Sequence, residues 1–210
     1  PEDLVEALDD DPDLAAAFYE RGPGRASARL VELLEDASTE HVIFKLAPGD
    51  YTGVSITKAA ANQTVEIHGS GPAVTNIQAS AAWDATAGNV LFLRKFTTVR
   101  IKDCAVRFGA YGCYFRDVPN VEISNCRFYN LGSSGSYHAF TVSKADQATY
   151  WAARGTAGAH RSDGGAMRIR SCSEVNISNC VVTDALRGFR IQDCSRGRIS
   201  DCVAKSVLES

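Results

Sequence analysis

Arginines at a repeated spacing are the side chains of this sequence best suited to bind a charged ligand. Two pairs are each 22 residues apart and a fifth arginine accompanies them: Arg94, Arg116, Arg168, Arg190 and Arg170. Guanidinium groups bind carboxylate and sulfate oxygens bidentately and lie flat beside aromatic rings. An aromatic face such as that of Tyr114, two residues before Arg116, can pack on a sugar ring. These residues therefore indicate binding of an acidic glycan, on the condition that one surface brings them together.

The elements that would do so follow from a repeat in the cysteines. Cys104 to Cys126 and Cys180 to Cys202 are both 22 residues, and Cys126 to Cys180 is 54, which is one period plus an insertion of 32. Alignment on these cysteines gives four matching segments: Val99–Cys104, Val121–Cys126, Val175–Cys180 and Gly197–Cys202. Each is a short alternating strand, then Asp or Asn, then Cys opening another strand. A third alternating strand precedes each segment.

Three short strands in each period predict an all-β fold, a right-handed parallel β-helix with about six coils of about 22 residues. Each strand would pair with its copy one coil away, at about 4.8 Å, so that residues one period apart stack in columns. The strand that precedes each cysteine segment has outward positions that then form one basic face. These positions are Phe92, Arg94, Tyr114, Arg116, Arg168, Arg170, Arg190 and Gln192. The alternative is that these arginines are solvated and pair with carboxylates of the loops.

The repeat also assigns structural roles to residues that could otherwise be mistaken for chemical groups. All seven cysteines are expected to be buried free thiols of a narrow core. The column Asp103, Asn125, Asn179 and Asp201 is expected to form a polar ladder at a turn, where Asp and Asn tolerate a left-handed backbone. Asp117, Asp184 and Asp193 are expected to be turn residues as well.

The N-terminal part is predicted to cover the open end of the solenoid. Residues 2–19 and 26–37 have helical spacing, with Leu30, Leu33 and Leu34 on one face. A helix over the end of a β-helix covers unpaired strand edges and the open core. We therefore expect a helical cap over residues 1–40 and the parallel β-helix over 41–210, interrupted by an inserted loop at 131–165.

The entry segments and coils resemble those of a known class of proteins. The run Val42-Ile-Phe-Lys-Leu-Ala-Pro-Gly-Asp-Tyr-Thr-Gly53, followed by Val65-Glu-Ile-His-Gly-Ser-Gly71, is similar to the entry of pectate-lyase-like β-helix proteins. The unit Val121 to Phe128 resembles the coils of polysaccharide lyases of the alginate lyase and chondroitinase B type. The resemblance covers residues 26–205 and implies a sugar groove on the outer sheet that carries the arginines. It implies fold more specifically than activity, because hydrolases, epimerases and phage tailspikes share the repeat.

The insertion supplies further candidate residues. It leads directly into Arg168 and Arg170, so we expect it to form one wall of the groove. The alternative is a mobile loop or a contact between subunits. With the basic face, it gives these candidates for substrate binding: Arg94, Tyr114, Arg190, Tyr137, Trp151 and Arg161.

A lyase, as the resemblance implies, would catalyse β-elimination from a uronate. This reaction needs a cation to neutralise the carboxylate, a base for the C5 proton and an acid for the leaving oxygen. Arg116, Arg168 or Arg170 would neutralise charge, and His138, His160, Lys144 or Tyr137 would transfer protons. The sequence departs from the lyase pattern, in which a Lys base and an Arg acid lie one coil apart, because no Lys occupies the stacked positions. No cofactor or metal is expected, since the basic face has no acidic cluster for Ca²⁺.

The charge and hydrophobicity of the sequence argue against two classes of partner, nucleic acids and membranes. The net charge of −3 argues against a protein that grips nucleic acid, and the chain lacks an apolar span of membrane length. We expect an extracellular or periplasmic protein, with a further segment of chain or a second copy covering its C-terminal end. Three hypotheses remain open: a lyase or epimerase of an acidic polysaccharide, a non-catalytic glycan-binding or surface scaffold, and a tailspike-like assembly element.

Overall fold

The computed structural model describes residues 5–6, 17–18, 31–35, 40–58, 61–79, 89–131 and 165–209. Short strands dominate these residues, and we number them in chain order. Before the solenoid come β1 (Val5–Glu6) and β2 (Ala17–Phe18). The described coils are β3 (His41–Lys45), β4 (Gly49–Thr52) and β5 (Val54–Thr57); β6 (Thr64–His68), β7 (Thr75–Gln78) and β8 (Leu91–Arg94); β9 (Thr98–Lys102), β10 (Ala105–Gly109) and β11 (Tyr111–Arg116); β12 (Asn120–Ser124), β13 (Arg127–Leu131) and β14 (Gly165–Arg170); β15 (Glu174–Ser178), β16 (Val181–Arg187) and β17 (Phe189–Gln192); and finally β18 (Arg196–Ser200) with β19 (Val203–Glu209).

These strands stack into three sheets that run along the molecule. Sheet A has the order β1-β2-β3-β6-β9-β12-β15-β18, sheet B β19-β16-β13-β10-β7-β4, and sheet C β17-β14-β11-β8-β5. Apart from the antiparallel β1–β2 pair, neighbouring strands are parallel. Each described coil contributes one strand to every sheet, except that the last described coil, β18 with β19, has no described strand in sheet C. The predicted right-handed parallel β-helix of six coils is confirmed.

The core lies inside the three sheets because side chains alternate along each strand. In sheet C, Leu93, Phe115 and Ile169 are in register and each is 0% exposed. Close packing of such stacked apolar side chains is what stabilises the solenoid. Ile199 continues an inward column of sheet A but is 46% exposed, because β18 is the last described strand of that sheet. That a partner or further chain covers this end stays a prediction.

The turns confirm the assignment of the Asp and Asn columns. Left-handed φ values between 50° and 57° occur at Asp103, Asn125, Asn179, Asp201, Asp117, Asp184 and Asp193. In the ladder between sheets A and B, Asn125 Nδ2 donates to Asp103 Oδ1 at 2.6 Å. Short polar side chains are tolerated at these angles because they bond locally.

The cysteines are free thiols, as predicted, although two of them are not fully buried. Cys194 and Cys202 are partly exposed, and the other five are buried. The Sγ atoms of Cys104 and Cys126 lie 3.8 Å apart. Burial raises the pKa of Cys113 well above its ordinary value and that of Cys172 to about 12. Cys113 and Cys172 are therefore protonated thiols that serve packing.

The N-terminal prediction is wrong at the two places where it can be compared within residues 2–19. Residues 5–6 and 17–18 form strands, not helix, and β2 pairs in parallel with β3. The edge of sheet A is thus covered by strand addition, which satisfies its backbone groups directly. Residues 31–35 are helical, as expected. Leu34 is fully buried, and Lys58 Nζ donates to its carbonyl oxygen at 2.6 Å. The division at residue 40 stays a prediction, as does a loop over 131–165. No helix among the described ranges is long and apolar enough to span a membrane.

Candidate functional site

Sheet C brings the predicted arginines into two columns. Strand register aligns one column as Phe92, Tyr114, Arg168 and Arg190, and the other as Arg94, Arg116, Arg170 and Gln192. Their side chains are half-buried and alternate with the core positions of the same strands. Successive members of a column are about 4.8 Å apart at the backbone. We call these eight outward positions the arginine face.

Two turn carboxylates compensate part of the charge in the second column. Arg94 Nε donates to Asp117 Oδ2 at 2.8 Å, while Arg116 Nε lies 3.6 Å from the same oxygen, too far for a hydrogen bond. Arg170 Nε donates to Asp193 Oδ2 at 3.2 Å. The alternative interpretation, in which the arginines pair with loop carboxylates, is thus confirmed in part. Among the residues that the structure describes, two carboxylates serve these three guanidinium groups, and the buried Nε of Arg116 has no hydrogen-bond partner.

Aromatic rings surround the arginines of the first column. The Arg168 guanidinium lies 4.9 Å from the ring centroid of Tyr114 and 5.7 Å from that of Tyr111. Phe92 packs edge-to-face on Tyr114 at 5.1 Å. Arg168 therefore lies within cation–π distance of both tyrosines. The face therefore joins cationic groups to an aromatic surface, the pairing that suits an acidic sugar.

Tyr111 is a member of this site that the sequence did not indicate. Tyr111 occupies the same alternating set of positions on β11 as the buried Cys113 and Phe115, and it is 3% exposed. Alternation therefore predicts an ordinary core residue. Its hydroxyl nevertheless lies 3.5 Å from Arg190 Nη1. No signal in the sequence distinguishes it from the core positions that follow.

The candidates in the insertion lie outside the described residues. These are Tyr137, His138, Lys144, Trp151, His160 and Arg161. β13 ends at Leu131 and β14 begins at Gly165, so the intervening chain joins sheet B to the strand that carries Arg168 and Arg170. That it forms a wall of the groove stays a prediction.

A second cluster of charged side chains occupies sheet A and was missed by the sequence analysis. Glu66 Oε1 accepts from Arg100 Nη1 at 2.6 Å and contacts His41 Nε2 at 3.1 Å, and its Oε2 contacts His68 Nε2 at 2.9 Å. Arg100 Nε also donates to Glu122 at 3.2 Å. Glu66 and Arg100 are 34 residues apart, so the period of 22 could not reveal the pairing. The one signal in the sequence that could have indicated part of this cluster is the alternation along β6, which puts Glu66 and His68 on the same outer face.

The electrostatics of this cluster follow from burial and charge. Burial alone would raise the pKa of Glu66, but hydrogen bonds and charge from Arg100, with hydrogen bonds from His68 and His41, outweigh it and lower that pKa. Burial and the charge of Lys102 lower the pKa of His68, and the Glu66 carboxylate opposes them only in part. Glu66 is therefore an anion and His68 a neutral imidazole at neutral pH. Within the part of the chain that the structure describes, no group of three or more His, Cys, Asp or Glu could hold a metal ion.

Three stacked parallel sheets, an inward thiol column and left-handed Asp and Asn turns define a β-solenoid with charged outer faces. The chain belongs to the family described as the right handed beta helix region, whose match covers residues 52–208. No curated protein matches the chain, and no solved structure does. The family establishes the fold, of the type found in carbohydrate-active β-helix proteins. The likeness to polysaccharide lyases stays a prediction.

Proposed function

We propose that this protein binds an acidic polysaccharide along the arginine face of sheet C, as a polysaccharide lyase or epimerase. The observation that carries the proposal is the register of that sheet. It aligns five guanidinium groups in two adjacent columns, against two turn carboxylates. A polymer with a carboxylate or sulfate on each sugar presents anions in a line, and a stack of cations parallel to the solenoid axis is complementary to it.

The face also offers a reason for choosing a glycan over other polyanions. Tyr114 and Phe92 present aromatic surface in the same column that Arg168 and Arg190 continue. Sugar rings have apolar faces that pack on aromatic side chains, while their charged substituents lie at the edge. An elongated ligand would thus place its rings along one column and its anionic groups along the other.

Non-catalytic binding is the second candidate function, and the composition of the arginine face favours it. Among the eight positions of the arginine face, none is a histidine, lysine or carboxylate, so the face carries no side chain that ordinarily serves as a general base near neutral pH. Elimination or epimerisation at C5 would then require a base from elsewhere, and His138 or His160 is the predicted source. A face that binds and does not react is the outcome expected if those histidines do not contribute.

The test is binding and turnover of alginate, polygalacturonate and chondroitin sulfate by the whole chain. We expect calorimetry to show binding that weakens with salt, and Arg116→Ala to weaken it about tenfold, the scale of one charged hydrogen bond. The matched control is Arg198→Ala, an exposed arginine on sheet A, which should bind as the wild type does. Affinity equal in both variants, or binding to none of the polymers, would contradict the proposal.

Assays of turnover distinguish an enzyme from a protein that only binds the polysaccharide. A lyase produces an unsaturated uronate that absorbs in the ultraviolet, and an epimerase exchanges the C5 proton with deuterated solvent. Binding without either signal would leave a glycan-binding module. Concentration-dependent trimers without glycan binding would instead favour an assembly element.

A further inference from the structure

The groove on sheet A has a geometry that the proposed function does not use. The groove is lined by Glu66, His68, Arg100, Ile101, Lys102, Glu122 and Ser124. His68 is in register with Lys102, and Lys102 with Ser124. An imidazole, an ammonium group and a hydroxyl therefore follow one another in a single outward column, with the Glu66 carboxylate beside the first.

The contact with Glu66 determines which nitrogen of His68 carries the proton. An ionised carboxylate only accepts hydrogen bonds, so His68 Nε2, at 2.9 Å from Oε2, must be the donor. Because the imidazole is neutral, Nδ1 then bears a lone pair. That nitrogen has no hydrogen-bond partner among the described residues. His68 is thus held as an oriented acceptor by a carboxylate with 12% side-chain exposure.

Lys102 supplies a cation that the neighbouring carboxylates leave uncompensated. Glu66 is engaged by Arg100 and both histidines, and Glu122 by Arg100. Asp103, in the turn that follows β9, accepts from Asn125. Lys102 is exposed and makes no ion pair with a described residue.

We propose that His68 and Lys102 form a second ligand site, on sheet A, for a small oxyanion that also carries a hydroxyl group. The ligand's anionic oxygens would lie on Lys102 and its hydroxyl would donate to His68 Nδ1, with Ser124 one coil beyond. Monoprotonated phosphate and the hydroxy-carboxylate of a free uronic acid both have this chemistry. A metal cation is disfavoured because Arg100 and Lys102 border the groove and both histidines direct Nε2 at Glu66.

The test is nitrogen NMR of the His68 ring in the full chain, titrated with inorganic phosphate and separately with galacturonate. We expect an Nε2-protonated neutral ring, whose Nδ1 resonance moves as ligand is added. A shift with phosphate alone would identify a phosphate site, and one with galacturonate alone a sugar-acid site; a shift with both would identify general oxyanion recognition. An Nδ1-protonated ring, or no shift with either probe, would overturn the proposal.

Substitutions make the test specific. Lys102→Ala should weaken binding of whichever probe saturates the site about tenfold. The control Lys205→Ala, at a lysine that is also exposed but lies on sheet B, should leave that affinity unchanged. Glu66→Gln should abolish the tautomer preference, since an amide can donate as well as accept. Unchanged affinity in Lys102→Ala would refute the site. Arg116→Ala is expected to leave this titration unaltered, so failure here is distinguishable from failure of the polysaccharide proposal.

Discussion

The carboxylate of Asp117 limits how strongly the arginine face attracts an anion, and its removal should strengthen polysaccharide binding. Its Oδ2 lies 2.8 Å from Arg94 Nε and 3.6 Å from Arg116 Nε. Unit charges 4 Å apart interact by about 1 kcal/mol in water and about 4 kcal/mol at an effective dielectric constant of 20. The side chains of Arg116 and Asp117 are 37% and 33% exposed, which favours the lower value. Asp117→Asn should therefore tighten binding about fivefold.

The substitution preserves the turn, so affinity can be compared directly. Asp117 has φ of 56°, and Asn adopts this left-handed region readily. The lost ion pair with Arg94 is partly exposed and contributes about 0–1 kcal/mol to stability. The assay is calorimetry with the polymer that binds, at low and high salt, since the gain should shrink as salt screens it. Asp201→Asn is the matched control, because it makes the same charge change at φ of 54° in a turn between sheets A and B. Equal affinity in the two variants would refute the reasoning.

Three further predictions concern the core, the thiols and the sheet A cluster. Phe128 is 0% exposed, so Phe128→Ala should lower the urea-measured free energy of unfolding by about 3–5 kcal/mol, and Phe128→Leu by less than about 1.5 kcal/mol; equal losses would contradict this. A water-soluble thiol reagent should modify the partly exposed Cys202 in the native protein and Cys113 only after unfolding, and mass spectrometry showing equal rates would contradict burial. The lowered pKa of Glu66 adds stability above its ordinary value of 4.5 that is lost as pH falls through the lowered folded value. The stability difference between wild type and Glu66→Gln should therefore shrink in acid, and a constant difference would show that this pKa is not lowered.

The coils could be predicted from the sequence because every coil must meet the same requirements at its inward positions and its turns. Val99, Val121 and Val175 align in sheet A, as the cysteine spacing indicated. Inward positions of a narrow solenoid favour apolar side chains, and the turns need residues that tolerate a left-handed backbone. These requirements act within single coils, so they leave a period in the sequence. The outward placement of the arginines followed from the same alternation.

The paired charges were harder to predict because they depend on where coils of unequal length meet. Glu66 and Arg100 are in register although 34 residues separate them. Asp117 was predicted as a turn residue, but its hydrogen bond to Arg94, 23 residues earlier, depends on how two side chains extend over the sheet. The N-terminal helical spacing failed at residues 5–6 and 17–18, where pairing with a sheet edge overrode local propensity.

By itself, the sequence determined the solenoid, the inward thiols, the left-handed turns and the outward arginines, because a short repeat imposes them on every coil. Tertiary structure alone decided which charges are compensated, where Tyr111 reaches Arg190, and that Glu66 orients His68 beside Lys102. Those properties arise from side chains of different coils brought within hydrogen-bond distance. Such distances depend on register between strands, which the period specifies only where successive coils have the same length.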